Sequence, residues 1–301
     1  MASTEIRGSF AAVGAFVAVG SLVAAADVID GYPIPAGQAV RYAAAATLLM
    51  LLARGRLPRP TTREALYLVG LAATGLVLFN LFVLVGVREG DPATIGVIVS
   101  CVPVLLALAG PLMAGRRPSP RIVLASVVVA LGAAGVEYAG GELTALGIAC
   151  ALGALACEAA FSLLAVPVLA RLGPLAVSAY ACAFAVPMLV AWSLVADGVA
   201  VPPTPSLAEL SAFTYLVVVV TTGGFLLWYS AIGLLGVERA GLFAGVLPIA
   251  ALACSALIGA ADITPGRLAA VAVVAAGVTL GMRVSRSEAA PRELAVQPAH
   301  G

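Results

Sequence analysis

The chain contains ten separate runs of mostly apolar residues, each long enough to cross a lipid bilayer. Their approximate bounds are 8–26, 34–53, 65–87, 92–114, 121–139, 143–166, 174–196, 209–235, 240–261 and 266–284. A spanning helix needs about 20 such residues. In hydrocarbon a helix satisfies its backbone N–H and C=O groups within the segment, so runs of this length predict a bundle of membrane helices. Composition agrees. Of 301 residues, 62% are hydrophobic and 10% charged, and the mean hydropathy is +1.11; soluble domains carry about 25% charged residues. The expected fold class is an all-α integral membrane protein with ten transmembrane helices. The links are short and rich in Pro, Gly, Arg and Asp, which leaves no room for a soluble domain. "AAAD" at 24–27 resembles a signal-peptide cleavage site, but the apolar run before it exceeds the usual 7–15-residue core of such peptides. It is therefore read as the first span. The polar, Pro-containing stretch 285–301 is expected to be a disordered cytoplasmic tail.

All 16 basic side chains are arginine, a usage that suggests a GC-rich bacterial genome. With the N-terminus in the cytoplasm and ten spans threaded, the inner segments hold 13 of them: Arg7, Arg54, Arg56, Arg59, Arg63, Arg116, Arg117, Arg121, Arg171, Arg239, Arg283, Arg286 and Arg292. Arg88 and Arg267 fall outside, and Arg41 lies within the second run. This positive-inside bias predicts a multi-pass protein of the cell membrane with both termini cytoplasmic. The outer links carry acids instead: Asp27, Asp30, Glu89, Asp91, Glu142, Asp197 and Asp262.

The chain also repeats itself. At an offset of 145, Gly96 falls on Gly241, Pro103 on Pro248, Pro120 on Pro265 and Gly132 on Gly277, with ten identities over 81–132. An offset of 138 pairs Tyr42 with Tyr180. The halves are expected at 8–139 and 143–284. Five spans per half is an odd number, so the second half enters the membrane inverted, an arrangement many secondary transporters use to alternate access around a midplane site.

Several segments carry a resemblance to a known family. "RYAAAATLLMLLARGR" (41–56) opens a span with an arginine and an aromatic, followed by a leucine run and a basic loop. "GVREGDPATIGVIVSCVPVLLAL" (86–108) and "AIGLLGVERAGLFAGVLPIAALA" (231–253) are paired helix-turn-helix elements with a central proline. "VVVALGAAGV" and "VAVVAAGVTLG" are glycine-bearing last helices. In order and spacing these resemble the EamA-type ten-helix branch of the drug/metabolite transporter superfamily, over about 8–284. The first helix lacks the tryptophan-glycine pair often found there. The resemblance implies a transporter, and export as its direction.

Some polar residues in the spans are candidates for function. Glu158 lies near the middle of its run; a charge there costs about 2.5–3.5 kcal/mol on insertion scales and belongs inside the bundle. It is read as a proton or substrate handle, against the alternative of a carboxyl bonded to a neighbouring helix as structural glue. Arg41 lies about two turns below the outer surface, at a depth similar to Glu137. Arg41 is read as structural, either paired with Glu137 or snorkelling towards the surface, against an anion-facing arginine over a cavity. Pro103 and Pro248 are expected to kink their helices and shape a cavity. Gly96 with Ser100, and Gly241 with Gly245, are expected to allow close helix packing. Asn80, Tyr180 and Trp228 are further cavity candidates, with interfacial anchoring the competing role for Tyr180, Trp228 and Tyr229. Cys101, Cys150, Cys157, Cys182 and Cys254 are expected to be buried thiols rather than disulfides or metal ligands.

These residues predict a secondary transporter of a small metabolite or amino-acid-like compound, with proton coupling through Glu158, and the resemblance implies that it is an exporter. The alternative is a channel or a non-transporting membrane scaffold. No nucleotide-binding loop is present, so ATP does not drive it directly. No span holds a histidine, and HExxH and GxSxG are absent, so an enzyme, a metal and a cofactor are not expected. A net charge of +1 points to no nucleic-acid partner. The expected partners are a small-molecule substrate and the lipid bilayer, with the choice between monomer and homodimer open.

Overall fold

The computed structural model describes residues 2–29, 32–137, 142, 144–196, 198 and 204–293. Nine helices among them are long and apolar enough to cross a membrane: α1 (Ser3–Ala25), α3 (Thr62–Arg88), α4 (Pro92–Met113), α5 (Pro120–Glu137), α6 (Ala145–Leu163), α7 (Val166–Ala196), α8 (Leu207–Leu235), α9 (Val237–Leu257) and α10 (Pro265–Met282). Between α1 and α3 stands a further helix of 19 residues, α2 (Ile34–Leu52). Gln38 and Arg41 lower its hydropathy, and both are turned to use below. No strand occurs among the described residues. The backbone of α10 stays helical to Glu293, through the first part of the stretch expected to be a tail. Residues 294–301, like Asp30 and Asp197, lie outside the described residues.

Helix ends follow local chemistry. α3 and α8 both begin with a reciprocal capping box: the Thr61 and Ser206 hydroxyls accept from the Glu64 and Glu209 amides, and the two carboxylates accept from the Thr61 and Ser206 amides. These boxes stand 145 residues apart. Asp91 caps α4 by accepting from the Thr94 amide and hydroxyl at 2.8 and 2.9 Å. These contacts hold its carboxyl below the usual carboxylate range. Beside it, the Asp91 amide donates to Glu142 O and the Thr144 amide to Glu89 O, both at 3.2 Å, tying the link between α3 and α4 to the link before α6. Gly173 and Gly236, at φ 75° and 81°, make the turns that let α7 and α9 change direction; a side chain there would be strained.

The packing is nearly symmetric between the halves. α1 lies on α8 as α6 lies on α3; α1 meets α9 as α6 meets α4; α2 meets α8 as α7 meets α3. Two pairs are their own counterparts, α2 with α7 and α5 with α10. The second of these crosses at glycines. A Cβ on Gly132 would stand 2.7 Å from the Val274 amide nitrogen, and one on Gly277 would stand 2.9 Å from that of Val129. Residues 129 and 274 are again 145 apart, so each glycine meets the counterpart of the other's neighbour. Small residues that let backbones approach are how helices associate in lipid, where burial of apolar surface supplies little.

Both candidate prolines follow an irregular turn within their span. α4 is interrupted at Ser100–Cys101, between Pro92–Val99 and Val102–Met113, directly before Pro103. A mid-span proline lacks the N–H that would bond to the preceding turn. In α9 a tight 3-10 turn, Leu242–Gly245, precedes Val246–Leu257, and Pro248 lies in that segment's first turn. Gly96, Gly241 and Gly245 are packing glycines: an added Cβ would overlap the Glu137 carboxylate at Gly96, stand 2.9 Å from Leu106 at Gly241 and 2.7 Å from Val129 at Gly245. Cys150, Cys157 and Cys182 are buried free thiols, as expected. Cys101, at the break in α4, is exposed, and Cys254 is partly so.

Candidate functional site

The central cavity is built first by a backbone irregularity that occurs twice. α3 widens into a π-helical stretch at Ala72–Leu78, and α8 does the same at Leu216–Gly223. Such widened turns frequently mark functional sites in helices. They turn Gly75, Phe79 and Asn80 of α3, and Val220, Gly224 and Phe225 of α8, towards a common space. Each residue of the second set is 145 positions beyond its partner in the first. The missing side chain at Gly75 leaves room for the Phe161 ring of α6, which a Cβ there would overlap.

The cavity encloses about 160 Å³ and is completed by Ala15 and Phe16 of α1, Arg41 and Tyr42 of α2, Glu158 of α6, Trp228 of α8 and Leu247 of α9. Aromatic rings dominate its wall. Phe16 and Trp228 meet edge to face at 5.0 Å, and Phe161 lies 5.4 Å from Phe225 and 5.5 Å from Tyr229. Four of the sequence candidates, Glu158, Arg41, Asn80 and Trp228, therefore share one space. Tyr180 does not join them. It is half-buried, stacks on Phe184, and donates its hydroxyl to Pro58 O at 3.2 Å. Pro103 and Pro248 do not line the cavity either, although Leu247 beside Pro248 does.

The expected Arg41–Glu137 pairing is corrected. Similar depth was the reason to couple them, but α2 packs on α7 and α8, whereas Glu137 ends α5 against Gly96 of α4. Arg41 is 6% exposed and uses neutral partners: Nε donates to Thr221 Oγ1 at 2.6 Å and Nη1 to Gln38 Oε1 at 3.4 Å. Gln38 Nε2 donates in turn to Asn80 Oδ1 at 3.5 Å, and Asn80 Nδ2 to Leu76 O at 2.8 Å. Among the described residues no carboxylate forms an ion pair with Arg41. The guanidinium also stands 5.5 Å from the centre of the Tyr42 ring. Glu158 faces the cavity from the opposite half, and no hydrogen bond or ion pair is made by its carboxyl among the described residues. The hydrogen bond that structural glue requires is thus not present. Tyr42 lies within electrostatic reach of both Arg41 and Glu158.

Gln38, Tyr42, Thr221 and Tyr229 complete this polar set, and sequence reasoning did not assign them to the site. Tyr229 is fully buried, within electrostatic reach of Glu158, and its hydroxyl has no hydrogen-bond partner among the described residues. Buried polar groups normally hold at least one hydrogen bond, so this hydroxyl is available to a water or a ligand.

A multi-pass helical bundle enclosing a cavity with an arginine that no carboxylate neutralises, a free carboxyl and an aromatic wall has the form of a membrane transporter. Residues 6–138 and 145–283 each match the EamA-like transporter family, and the chain belongs to that family. It is similar to the uncharacterized transporter YetK of Bacillus subtilis (strain 168), at 23% identity over 240 residues, covering 77% of this chain and 73% of that protein. It also shares its fold with a protein of known crystal structure, at a TM-score of 0.76 and 18% identity, covering 94% of this chain and 99% of the other.

Proposed function

We propose that the protein is a secondary transporter that exports a small metabolite or amino-acid-like compound across the cell membrane by alternating access. The observation that carries this reading is the composition of the cavity. Arg41 from the first half and Glu158 from the second face one space of about 160 Å³, neither neutralised by the protein, between aromatic walls. An uncompensated charge pair of opposite sign suits a zwitterion with an apolar body, because the ligand replaces the missing partners. Export as the direction rests on the family.

The moving parts are two inverted five-helix repeats, 8–139 and 143–284, in ten spans with both termini cytoplasmic. The reciprocal Gly132–Val274 and Gly277–Val129 contacts and the exchange-symmetric packing support this reading, since such contacts arise about a two-fold axis. In this scheme Glu158 takes a proton from one side and releases it to the other as the cavity changes access. The test is flux into proteoliposomes containing the purified protein. Saturating, counterflow-competent flux driven by a pH gradient is expected. Glu158→Gln keeps the shape and cannot ionise, so gradient-driven flux should be abolished while expression and folding stay near normal. Undiminished gradient-driven flux in that variant refutes the coupling role, and flux without saturation or counterflow refutes a carrier in favour of a channel.

A further inference from the structure

Three ion pairs join described residues: Glu64 with Arg171, Arg116 with Glu238, and Glu5 with Arg239 at 3.3 Å. In each pair one residue belongs to the first half of the chain and one to the second. All six lie at or near the links that carry most of the arginines, on one face of the bundle. Arg171 is held most firmly, by both Glu64 oxygens and by Arg59 O at 3.0 Å. The three carboxylates are partly sheltered, with side-chain exposures of 14%, 14% and 24%, while Arg116 and Arg171 stand 63% and 48% exposed, so these are surface pairs anchored on the carboxylate side.

The internal repeat offers the comparison that gives these pairs a meaning. At the offset of 145 Glu64 corresponds to Glu209, and at 138 Arg171 corresponds to Pro33. Glu209 lies on the opposite face within electrostatic reach of Tyr32, next to Pro33, so the counterpart positions do come together there, but without a base. The Arg116 and Glu238 counterparts are Ala261 and Ala93. Among the described residues, then, these pairs stand on one face only. On the other face, a smaller pocket bounded by Tyr32, Pro33, Gln38 and Phe213 shares Arg41 with the central cavity.

We propose that Glu64–Arg171, Arg116–Glu238 and Glu5–Arg239 form an ionic latch that locks the two halves together on the arginine-rich face, so that the resting carrier is closed on that face and reached from the other past Arg41. The latch rests on the two-repeat reading for its moving parts and on the topology reading for naming that face cytoplasmic. A two-state carrier responds to the loss of contacts made in one state only. An exposed ion pair shifts such an equilibrium by up to about fivefold, and three together by roughly tenfold.

The test measures access to a cysteine in the cavity wall, Val220→Cys, in a chain whose five native cysteines are changed to alanine. A membrane-impermeant thiol reagent is applied to right-side-out and inside-out vesicles. The latched protein should react from the outer side. Adding Glu5→Gln, Glu64→Gln and Glu238→Gln should raise the rate from the inner side roughly tenfold, and exchanging one pair, Glu64→Arg with Arg171→Glu, should leave the original ratio largely intact. Should the triple variant fail to fold, Glu64→Gln alone reads the same ratio with a smaller shift. An inner-side rate unchanged by neutralisation overturns the latch. Arg56→Cys, in the link between α2 and α3, reports the topology separately. If it reacts from outside, the topology reading fails while a neutralisation-dependent shift with sides exchanged keeps the latch. Labelling needs no transport, so absence of flux in proteoliposomes would count against the transporter reading alone.

Discussion

The crossing of α5 and α10 allows a quantitative test of the symmetry in the packing. Alanine at Gly132 would place its Cβ 2.7 Å from the Val274 nitrogen and 3.0 Å from the Ala270 oxygen; at Gly277 the distances are 2.9 Å to the Val129 nitrogen and 3.1 Å to the Ala125 oxygen. A valine methyl also stands at 2.8 Å in each case, but the backbone atoms cannot rotate aside as that side chain can, so the two helices must separate. Overpacking of this kind costs about 1–3 kcal/mol. Replacing a helical glycine with alanine returns about 0.5–1 kcal/mol. Each single variant should therefore lose up to about 2.5 kcal/mol, and the two should be similar. Because one separation of the helices relieves both clashes, Gly132→Ala with Gly277→Ala should lose less than the sum of the singles, with a coupling of at least about 0.5 kcal/mol. Gly233→Ala is the control. It lies in α8 with nothing within 4 Å of an added Cβ and should be neutral or stabilising by up to about 1 kcal/mol. Reversible unfolding in mixed micelles, followed by circular dichroism, measures all four. Losses that simply add in the double variant, or clearly unequal losses in the two singles, would refute the reciprocal contact.

Other residues give sharper single tests. Tyr229→Phe removes a buried hydroxyl that lacks a partner, so stability should hold or rise, by up to about 1–3 kcal/mol; a fall in transport at unchanged stability would then assign that hydroxyl to the transport cycle beside Glu158. Arg41→Lys keeps the charge but supplies a point ammonium in place of a planar fork that donates separately to Thr221 and Gln38. Substrate affinity should fall in counterflow titrations, and parental affinity would show that charge alone suffices. Asp91, with its carboxyl held low by Thr94, contributes stability that is fully present above the unfolded carboxylate range, near pH 4, and is lost as pH falls through its depressed folded value. Asp91→Asn should flatten that acid limb of a stability-against-pH curve by lowering stability in the neutral region towards the value at the acid end, which stays nearly unchanged.

What the sequence discloses and what it hides divide along physical lines. Spans are legible because the hydrocarbon imposes a length and an apolarity that few other constraints mimic. The repeat is legible at Pro120 and Pro265, which both start helices, and at Gly132 and Gly277, where the backbone approach admits no side chain. The capping boxes at Thr61–Glu64 and Ser206–Glu209 were readable from their Ser/Thr-x-x-Glu spacing. The π-helical stretches were not. Nothing in "AATGLVL" or "LVVVVTTG" departs from ordinary helical composition, and the extra residue per turn is held by tertiary packing. Depth along a span can be counted from sequence, but direction around the helix axis is fixed only by neighbours. That is why Arg41 and Glu137 looked like a pair and are not. It is also why Tyr42 and Tyr180, aligned by the repeat, part company: one lines the cavity and the other reaches the Pro58 carbonyl.

The cavity combines a symmetric wall with asymmetric charge, and the two features answer different demands. Gly75 with Val220, Phe79 with Gly224 and Asn80 with Phe225 are counterpart pairs, so α3 and α8 line the space through the same turns of the same widened helices. A wall of this kind can exchange the roles of its two halves at small cost, because each half can adopt the packing the other has just left. The charges do not exchange. The counterpart of Arg41 is Ala179 and that of Glu158 is Gly20, so the cationic end of the cavity always belongs to α2 and the anionic end to α6. On the proposed reading, a dipolar ligand held between them keeps one orientation relative to the protein while the wall rearranges around it. On that reading the symmetric residues govern how readily the halves interchange, and Arg41, Glu158 and the neutral groups that hold Arg41 govern what is carried. Substitutions at Gly75 or Val220 should therefore act on the rate for every substrate alike, whereas substitutions at Gln38 or Thr221, which touch Arg41, should change the order of preference among substrates.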